Sequence, residues 1–167
     1  MRGVIVSLAL CAVPALAQDP FAAAKQLAGN AATKQVEAQV NKKLLAEAHK
    51  NQCSFKTDSD QLAPGCDKKL KNLTSVLIDA KKRLDGAGLS NYKFEVSGHT
   101  DSSGAAAHNK ELSGKRAAVI VKELVARGVP EREIIAVGMG SERPLVTPDD
   151  TAAKKAKNRR YEIQVRL

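Results

Sequence analysis

The alternation of apolar and polar positions predicts the architecture before any motif is considered. Tyr92-Lys93-Phe94-Glu95-Val96-Ser97 has a period of two, with Tyr92, Phe94 and Val96 on one face, as in a half-buried strand. Ile134 to Met139 and Arg159 to Leu167 read as further strands, the last with Tyr161, Ile163, Val165 and Leu167 on one side. Gln52 to Lys56 reads as a short first strand, followed by the polar connection Thr57-Asp58-Ser59-Asp60. Between these runs the period lengthens. Pro64-Gly65 opens a helix to about Leu84, with Leu70, Leu73, Leu77 and Leu84 inward, and Asp85-Gly86-Ala87-Gly88 stops it. Gly104 to Arg127 is a second long helix, closed by Gly128 and Pro130. Ser141 to Asp150 is a loop, and Thr151 to Lys157 a short helix at most. The order predicts an α+β fold, a βαβαβ-β two-layer sandwich with a four-stranded mixed sheet and two long helices on one face.

An Ala-, Lys-, Gln- and Glu-rich stretch precedes this unit. Val36, Val40, Leu44 and Ala48 are four apart, so Asp19 to Lys50 reads as one helix, or two broken at Gly29-Asn30. It suits a solvated spacer, a docking arm or a self-association element, and is too short and Ala-rich for a coiled coil. Positions 4–17 are apolar apart from Ser7, follow Met1-Arg2-Gly3 and end in Ala15-Leu16-Ala17, the pattern of a cleaved secretory leader. The expected divisions are a signal peptide at 1–17, a helical arm or linker at 18–50, and a folded domain at 51–167. Lipidation at Cys11 is not expected, because Leu10 stands where a small residue is needed. No later segment is apolar for long enough to span a membrane.

Secretion changes the reading of cysteine and charge. Cys53 and Cys66 form an even pair in an oxidising compartment and predict a disulfide, worth on the order of 3 kcal/mol in the chain-entropy account; two buried thiols are the alternative. Neither has a His or further Cys at metal-ligand spacing, so no metal or cofactor is expected. The formal net charge is +9 and Lys154 to Arg160 is a basic run, but secretion and only 3% aromatic residues argue against nucleic acid. His99, Asp101 and Ser102 are triad residue types, yet they stand too close in sequence to line up, and no nucleophile elbow is present; no enzyme is expected.

The candidate site lies where the Tyr92–Ser97 strand ends. Asp101 follows it at the strand-to-helix connection, where open α/β sheets build ligand sites. Arg116 shares a helical stripe with Leu112, Ile120 and Leu124, and a guanidinium on such a stripe needs a partner or a ligand. Asp101 is its nearest acid in sequence, and the two together would suit a zwitterion. Arg159 repeats the pattern at the rim of the last strand's apolar face.

Gly98-His99-Thr100-Asp101, then Asn109, Leu112-Ser113 and Arg116-Ala117, then Gly138-Met139-Gly140 with Pro144, then Asn158-Arg159-Arg160, resemble the OmpA C-terminal-like domain of the OmpA/Pal/MotB family over roughly Gln52 to Leu167. The resemblance implies non-covalent binding of peptidoglycan through the diaminopimelate of its stem peptide. It implies that Asp101 takes the ammonium and Arg116 the carboxylate, with Asn109 and Arg159 lining the pocket, Asp58 presented after the first strand, and backbone donors from Thr100 onward. Lys56 departs from the pattern, since many relatives have Asp there. The expected setting is the periplasm, with peptidoglycan as partner; the alternative is an envelope adaptor whose arm recruits a protein.

Overall fold

The structure, a computed structural model, describes residues 20–167, with side chains from Gly29 onward. The leader read at 1–17, including Cys11, lies outside the described residues. The elements run α1 (Pro20–Lys50), α2 (Asp67–Gly86), β1 (Lys93–His99), α3 (Ala106–Val125), β2 (Ile134–Gly140), α4 (Ala152–Asn158) and β3 (Tyr161–Arg166), with a 3-10 turn at Glu131–Glu133. Helix α1 runs unbroken through Gly29. Among the described residues no helix is long and apolar enough to cross a membrane.

Strand β1 is central. It pairs in parallel with β2 across the α3 crossover, and antiparallel with β3. The alternation predicted for β1 and β3 places Phe94, Val96, Tyr161, Ile163 and Val165 in one core. The four leucines of α2 meet them there, as do Ala117, Ile120 and Leu124 of α3 and Val40, Leu44 and Ala48 of α1.

The expected four-stranded sheet has three strands among the described residues, because Gln52–Lys56 does not join it. Side-chain amides of α1 and the residues after it take the place of a strand along the outer edge of β3. The Gln52 amide donates to the Tyr161 carbonyl at 2.7 Å and accepts from the Tyr161 N–H at 3.1 Å. About three helical turns back along the chain, Asn41 does the same at Val165, donating at 3.2 Å and accepting at 2.6 Å. Each amide thus satisfies both backbone groups of an edge residue that would otherwise invite another strand. Released from the sheet, the following backbone pairs with itself. Lys56 N–H donates to the Gln61 carbonyl and Ala63 N–H to the Ser54 carbonyl, both at 2.9 Å, and Phe55 bridges Leu62. Asp58 turns this loop with a left-handed φ of 47°, a conformation that Asp tolerates better than most residues.

Helix α3 rests almost backbone to backbone on the sheet. A Cβ on Gly98 would lie 2.2 Å from the Ser113 carbonyl oxygen, and one on Gly138 would lie 2.5 Å from that of Lys110. The buried stripe of α3 is Asn109, Ser113, Ala117, Ile120 and Leu124, so its first half meets the glycines with small and polar residues. Ser113 completes the contact by accepting the Gly140 N–H at 2.8 Å. The β1–β2 register slips by one residue between Gly98 and His99, beside this contact.

Two substitutions test these contacts by urea unfolding. Gly138→Ala must push α3 off the sheet and is expected to lower stability by about 1–3 kcal/mol. Asn41→Leu leaves the Val165 N–H and carbonyl unpartnered and is expected to lower it by about 1–3 kcal/mol. An unchanged midpoint in either variant would contradict the corresponding contact.

Candidate functional site

Strand β1 delivers its C-terminal end against the first turns of α3, and a cleft of about 850 Å³ opens there. All six expected site residues, Asp58, Thr100, Asp101, Asn109, Arg116 and Arg159, border it.

Asp101 is buried, with 8% exposure. One carboxylate oxygen accepts the Ser103 N–H at 3.0 Å and the other accepts Arg159 Nη1 at 2.6 Å. Burial pushes its pKa up, but the Arg159 and Ser103 hydrogen bonds outweigh burial and hold the carboxyl below its ordinary value. The loop is pinned from three sides. Asn109 Nδ2 donates to the Ser103 carbonyl at 2.8 Å, Lys155 Nζ reaches Ser103 Oγ at 2.8 Å, and Asp149 accepts the Ser102 N–H at 2.9 Å and its hydroxyl. Asn109 therefore shapes the Asp101 loop from behind.

Arg116 does not pair with Asp101, the partner its sequence position suggested. Its Nε donates to the Ser59 carbonyl at 2.9 Å, Nη2 reaches the Lys56 carbonyl at 3.4 Å, and the guanidinium carbon lies 5.1 Å from the Phe55 ring centroid. It sits half-buried on the flank of the α3 stripe. Burial, then the nearby positive charge of Arg159, pushes its pKa below the usual guanidinium value. Carbonyl dipoles and a ring face orient this cation without neutralising it. Asp58 borders the cleft and bonds His108 Nε2 at 2.8 Å across its mouth.

Arg159 comes from a helix end rather than a strand. It is the C-cap of α4, and β3 begins two residues later. Thr100 is corrected as a donor, because its N–H is engaged by the Gly140 carbonyl at 2.9 Å. The three triad residue types diverge: His99 Nε2 lies 3.8 Å from Glu162, Asp101 faces Arg159 and Ser102 faces Asp149. Burial first, then Arg160 and Arg143, lowers the His99 pKa to about 4, so its ring is neutral at physiological pH.

Cys53 and Cys66 also depart from expectation. They are buried free thiols rather than a cross-linked pair. Burial, then Cys66 beside it, raises the Cys53 thiol and favours its protonated form.

Several site-building residues escaped the sequence reading. The carbonyls of Lys56 and Ser59 have no side-chain signature. Asn158 is 1% exposed and holds the loop after β2, accepting the Leu145 and Val146 N–H groups at 2.8 and 3.0 Å and donating to Val146 and Asp149 at 3.0 Å. Its place directly before Arg159-Arg160 in the motif was the available signal. Among the described residues no group of three His, Cys, Asp or Glu side chains could hold a metal.

A sequence model of the OmpA family matches residues 54–159. Outer membrane porin F of Pseudomonas fluorescens is 48% identical over 71 residues, covering 42% of this chain and 22% of that protein. Peptidoglycan-binding protein ArfA of Mycobacterium tuberculosis is 43% identical over 73 residues, covering 44% of this chain and 22% of that protein. The chain thus matches about a fifth of the length of these two relatives. The crystal structure of the peptidoglycan-associated lipoprotein from Burkholderia pseudomallei superposes with a TM-score of 0.56 at 23% identity, over 69% of this chain and 89% of that one, and shares its fold.

The Asp101–Arg159 pair predicts a titration. A depressed carboxyl contributes stability that is present above its unfolded pKa and lost as pH falls through the lower folded value. By NMR, the Asp101 carboxyl carbon of the wild type should titrate below the ordinary aspartate range. Arg159→Gln should move it upward, because burial is then opposed by Ser103 alone, and should flatten the acid-side loss of stability. An unmoved titration would show that Arg159 does not hold the charge.

Proposed function

The chain belongs to the OmpA family, and from that premise we propose that it is a non-catalytic, non-covalent binder of peptidoglycan that takes the diaminopimelate of the stem peptide between Asp101 and Arg116. The observation that carries this reading is the unequal treatment of the two charges. Asp101 is held ionised by an internal cation, whereas Arg116 is half-buried and has only carbonyls and a ring for partners. A guanidinium left in that state favours a carboxylate, which it receives in a forked geometry. Asp101 accepts one bond on each oxygen, and an ionised carboxylate has room for more, so an ammonium adds without displacing Arg159. One end of diaminopimelate supplies both groups on a single carbon. Asn109 fixes the loop, Arg159 sets the charge of Asp101, and Asp58 with His108 closes the outer rim. Thr100 contributes by fixing the backbone before Asp101.

Attachment through one amino-acid end is reversible and modest in strength, because few contacts offset the loss of ligand freedom. The names of ArfA and of the peptidoglycan-associated lipoprotein point to the same polymer. The setting proposed is the periplasmic side of the cell envelope, reached by a cleaved leader, with 51–167 as the wall-binding domain. A second reading, an envelope adaptor whose arm recruits a protein, rests on the mostly exposed side chains of Gly29 to Gln35 on α1. Wall binding is then secondary.

Sedimentation with purified insoluble peptidoglycan at moderate salt tests the proposal, with circular dichroism to establish that each variant folds. Asp101→Ala and Arg116→Ala should each weaken binding on the order of tenfold, the scale of a lost charge-assisted hydrogen bond. Binding that survives both substitutions but disappears in salt would assign retention to the basic surface instead. A folded wild type that does not sediment would favour the adaptor.

A further inference from the structure

Behind the Asp101 loop lies a second cavity of about 510 Å³, within the range of roughly 300–1,000 Å³ usual for small-ligand sites. The alternation of β1 carries on past its last residue and divides the loop between the two spaces. Asp101 borders the cleft alone, Ser102 borders the second cavity alone, and Thr100 borders both. The Thr100 hydroxyl is the unfinished group. Thr100 is 5% exposed, its N–H is engaged by the Gly140 carbonyl, and its Oγ1 is buried without a hydrogen-bond partner. A buried hydroxyl in that state is costly until a partner arrives, and it can both donate and accept. Around it stand the hydroxyls of Ser141 and Thr147 and the carbon surfaces of Pro144, Val146 and Pro148. The walls are already fastened. Asn158 accepts the Leu145 and Val146 N–H groups, and Asp149 accepts the Ser102 N–H. The charges at the cavity are engaged internally: Asp150 pairs with Lys154 at 2.8 Å, Lys155 bonds Ser103 Oγ at 2.8 Å, and Asp149 accepts from Ser102 and Asn158. This is the reverse of the cleft, where Arg116 is left without an acid.

We propose that this cavity is a saccharide subsite: it takes one uncharged, N-acetylated sugar, with the Thr100 hydroxyl bonding a sugar oxygen and the Pro144, Val146 and Pro148 carbons covering the acetyl methyl. This deepens the peptidoglycan reading and rests on it for the source of the sugar, since the glycan strands of that polymer are N-acetylated and carry the stem peptide. The chemistry of the walls selects against other ligands. An anion would meet the Asp149 and Asp150 carboxylates, and a cation would have to compete with Lys154 and Lys155. A wholly apolar ligand would leave the Thr100 hydroxyl unpartnered. A neutral ring with hydroxyls and one methyl satisfies the hydroxyl and the carbon surface together. Because Thr100 and Asp101 are consecutive, a ligand that joins a sugar to a stem peptide straddles the loop and engages both spaces. Its second attachment is then intramolecular, so a sugar contact that is weak by itself raises the affinity of the whole. A stem peptide without its sugar uses the cleft alone.

The test follows backbone amides by NMR during titration with N-acetylglucosamine, with glucose as the comparison. Calorimetry then compares an N-acetylmuramoyl tripeptide ending in meso-diaminopimelate with the same tripeptide lacking the sugar. N-acetylglucosamine should shift the Ser141, Val146 and Thr147 amides saturably, and glucose, which has no acetyl methyl, should leave them in place. The sugar-bearing tripeptide should bind several-fold tighter than the bare one, and Thr100→Val should bring that ratio close to one. Thr100→Val should also melt at or above the wild-type temperature, because the hydroxyl it removes has no partner in the free protein; a purely structural Thr100 would give a lower one. Absent or glucose-matched shifts would overturn the proposal. So would equal affinity of the wild type for the two tripeptides, or a ratio that survives in folded Thr100→Val. The first two readings need only the wild type and stand whether or not the variant folds. Saturable N-acetylglucosamine shifts with no response of Asp101 or Arg116 to the bare tripeptide would uphold the saccharide subsite and remove the diaminopimelate reading instead.

Discussion

The closeness of α3 to the sheet is the constraint on which the rest depends. Helices usually stand off a sheet by the thickness of two side chains. Here Gly98 and Gly138 remove one of those layers, and Ser113, Gly114 and Ala117 thin the other. The N-terminal half of the helix is thereby drawn down to the end of β1. That descent puts Asn109 within reach of the Ser103 carbonyl and brings Arg116 level with the loop that follows α1. An added methyl at either glycine meets backbone, which cannot rotate away, so the site and the fold are sensitive to the same positions.

On this frame the cleft divides its charges by function. Burial at 8% exposure works against the Asp101 charge, and Arg159 at the C-cap of α4, together with Ser103, offsets it and holds the carboxyl below its ordinary value. Arg116 is oriented by groups without net charge. A second carboxylate beside it would neutralise the cleft and compete with an anionic ligand, whereas carbonyl oxygens fix the plane of the fork and leave its charge available. The same economy recurs at the sheet edge, where Asn41 and Gln52 fill backbone positions with amides. The chain closes its sheet with side chains and frees the Ser54–Gly65 backbone to serve the cleft.

Much of this was legible in the sequence for physical reasons. Strands buried on one face advertise themselves by alternation, as at Phe94 and Val96 or Ile163 and Val165, and α2 by its spaced leucines. The motif that ends β1 was legible as a candidate site through its resemblance to a family pattern, since an Asp before Ser-Ser-Gly by itself suits an ordinary turn or helix cap. What escaped was pairing by groups without identity. Backbone carbonyls bind Arg116, and nothing in Lys56 or Ser59 announces it. Gln52 began a plausible five-residue strand, and no local pattern distinguishes backbone pairing from pairing by its amide. Arg159 was assigned by parity to a strand face, whereas it terminates a short helix and reaches Asp101 from there.

The central claim is that a zwitterion bridges Asp101 and Arg116, and NMR observation of those two side chains during titration with meso-diaminopimelate addresses it most directly. The account predicts saturable, salt-tolerant shifts at the Asp101 carboxyl carbon and the Arg116 guanidinium nitrogens, with the Asp101–Arg159 pair retained in the complex. Shifts confined to the lysines of α4, or lost together as salt is raised, would contradict it.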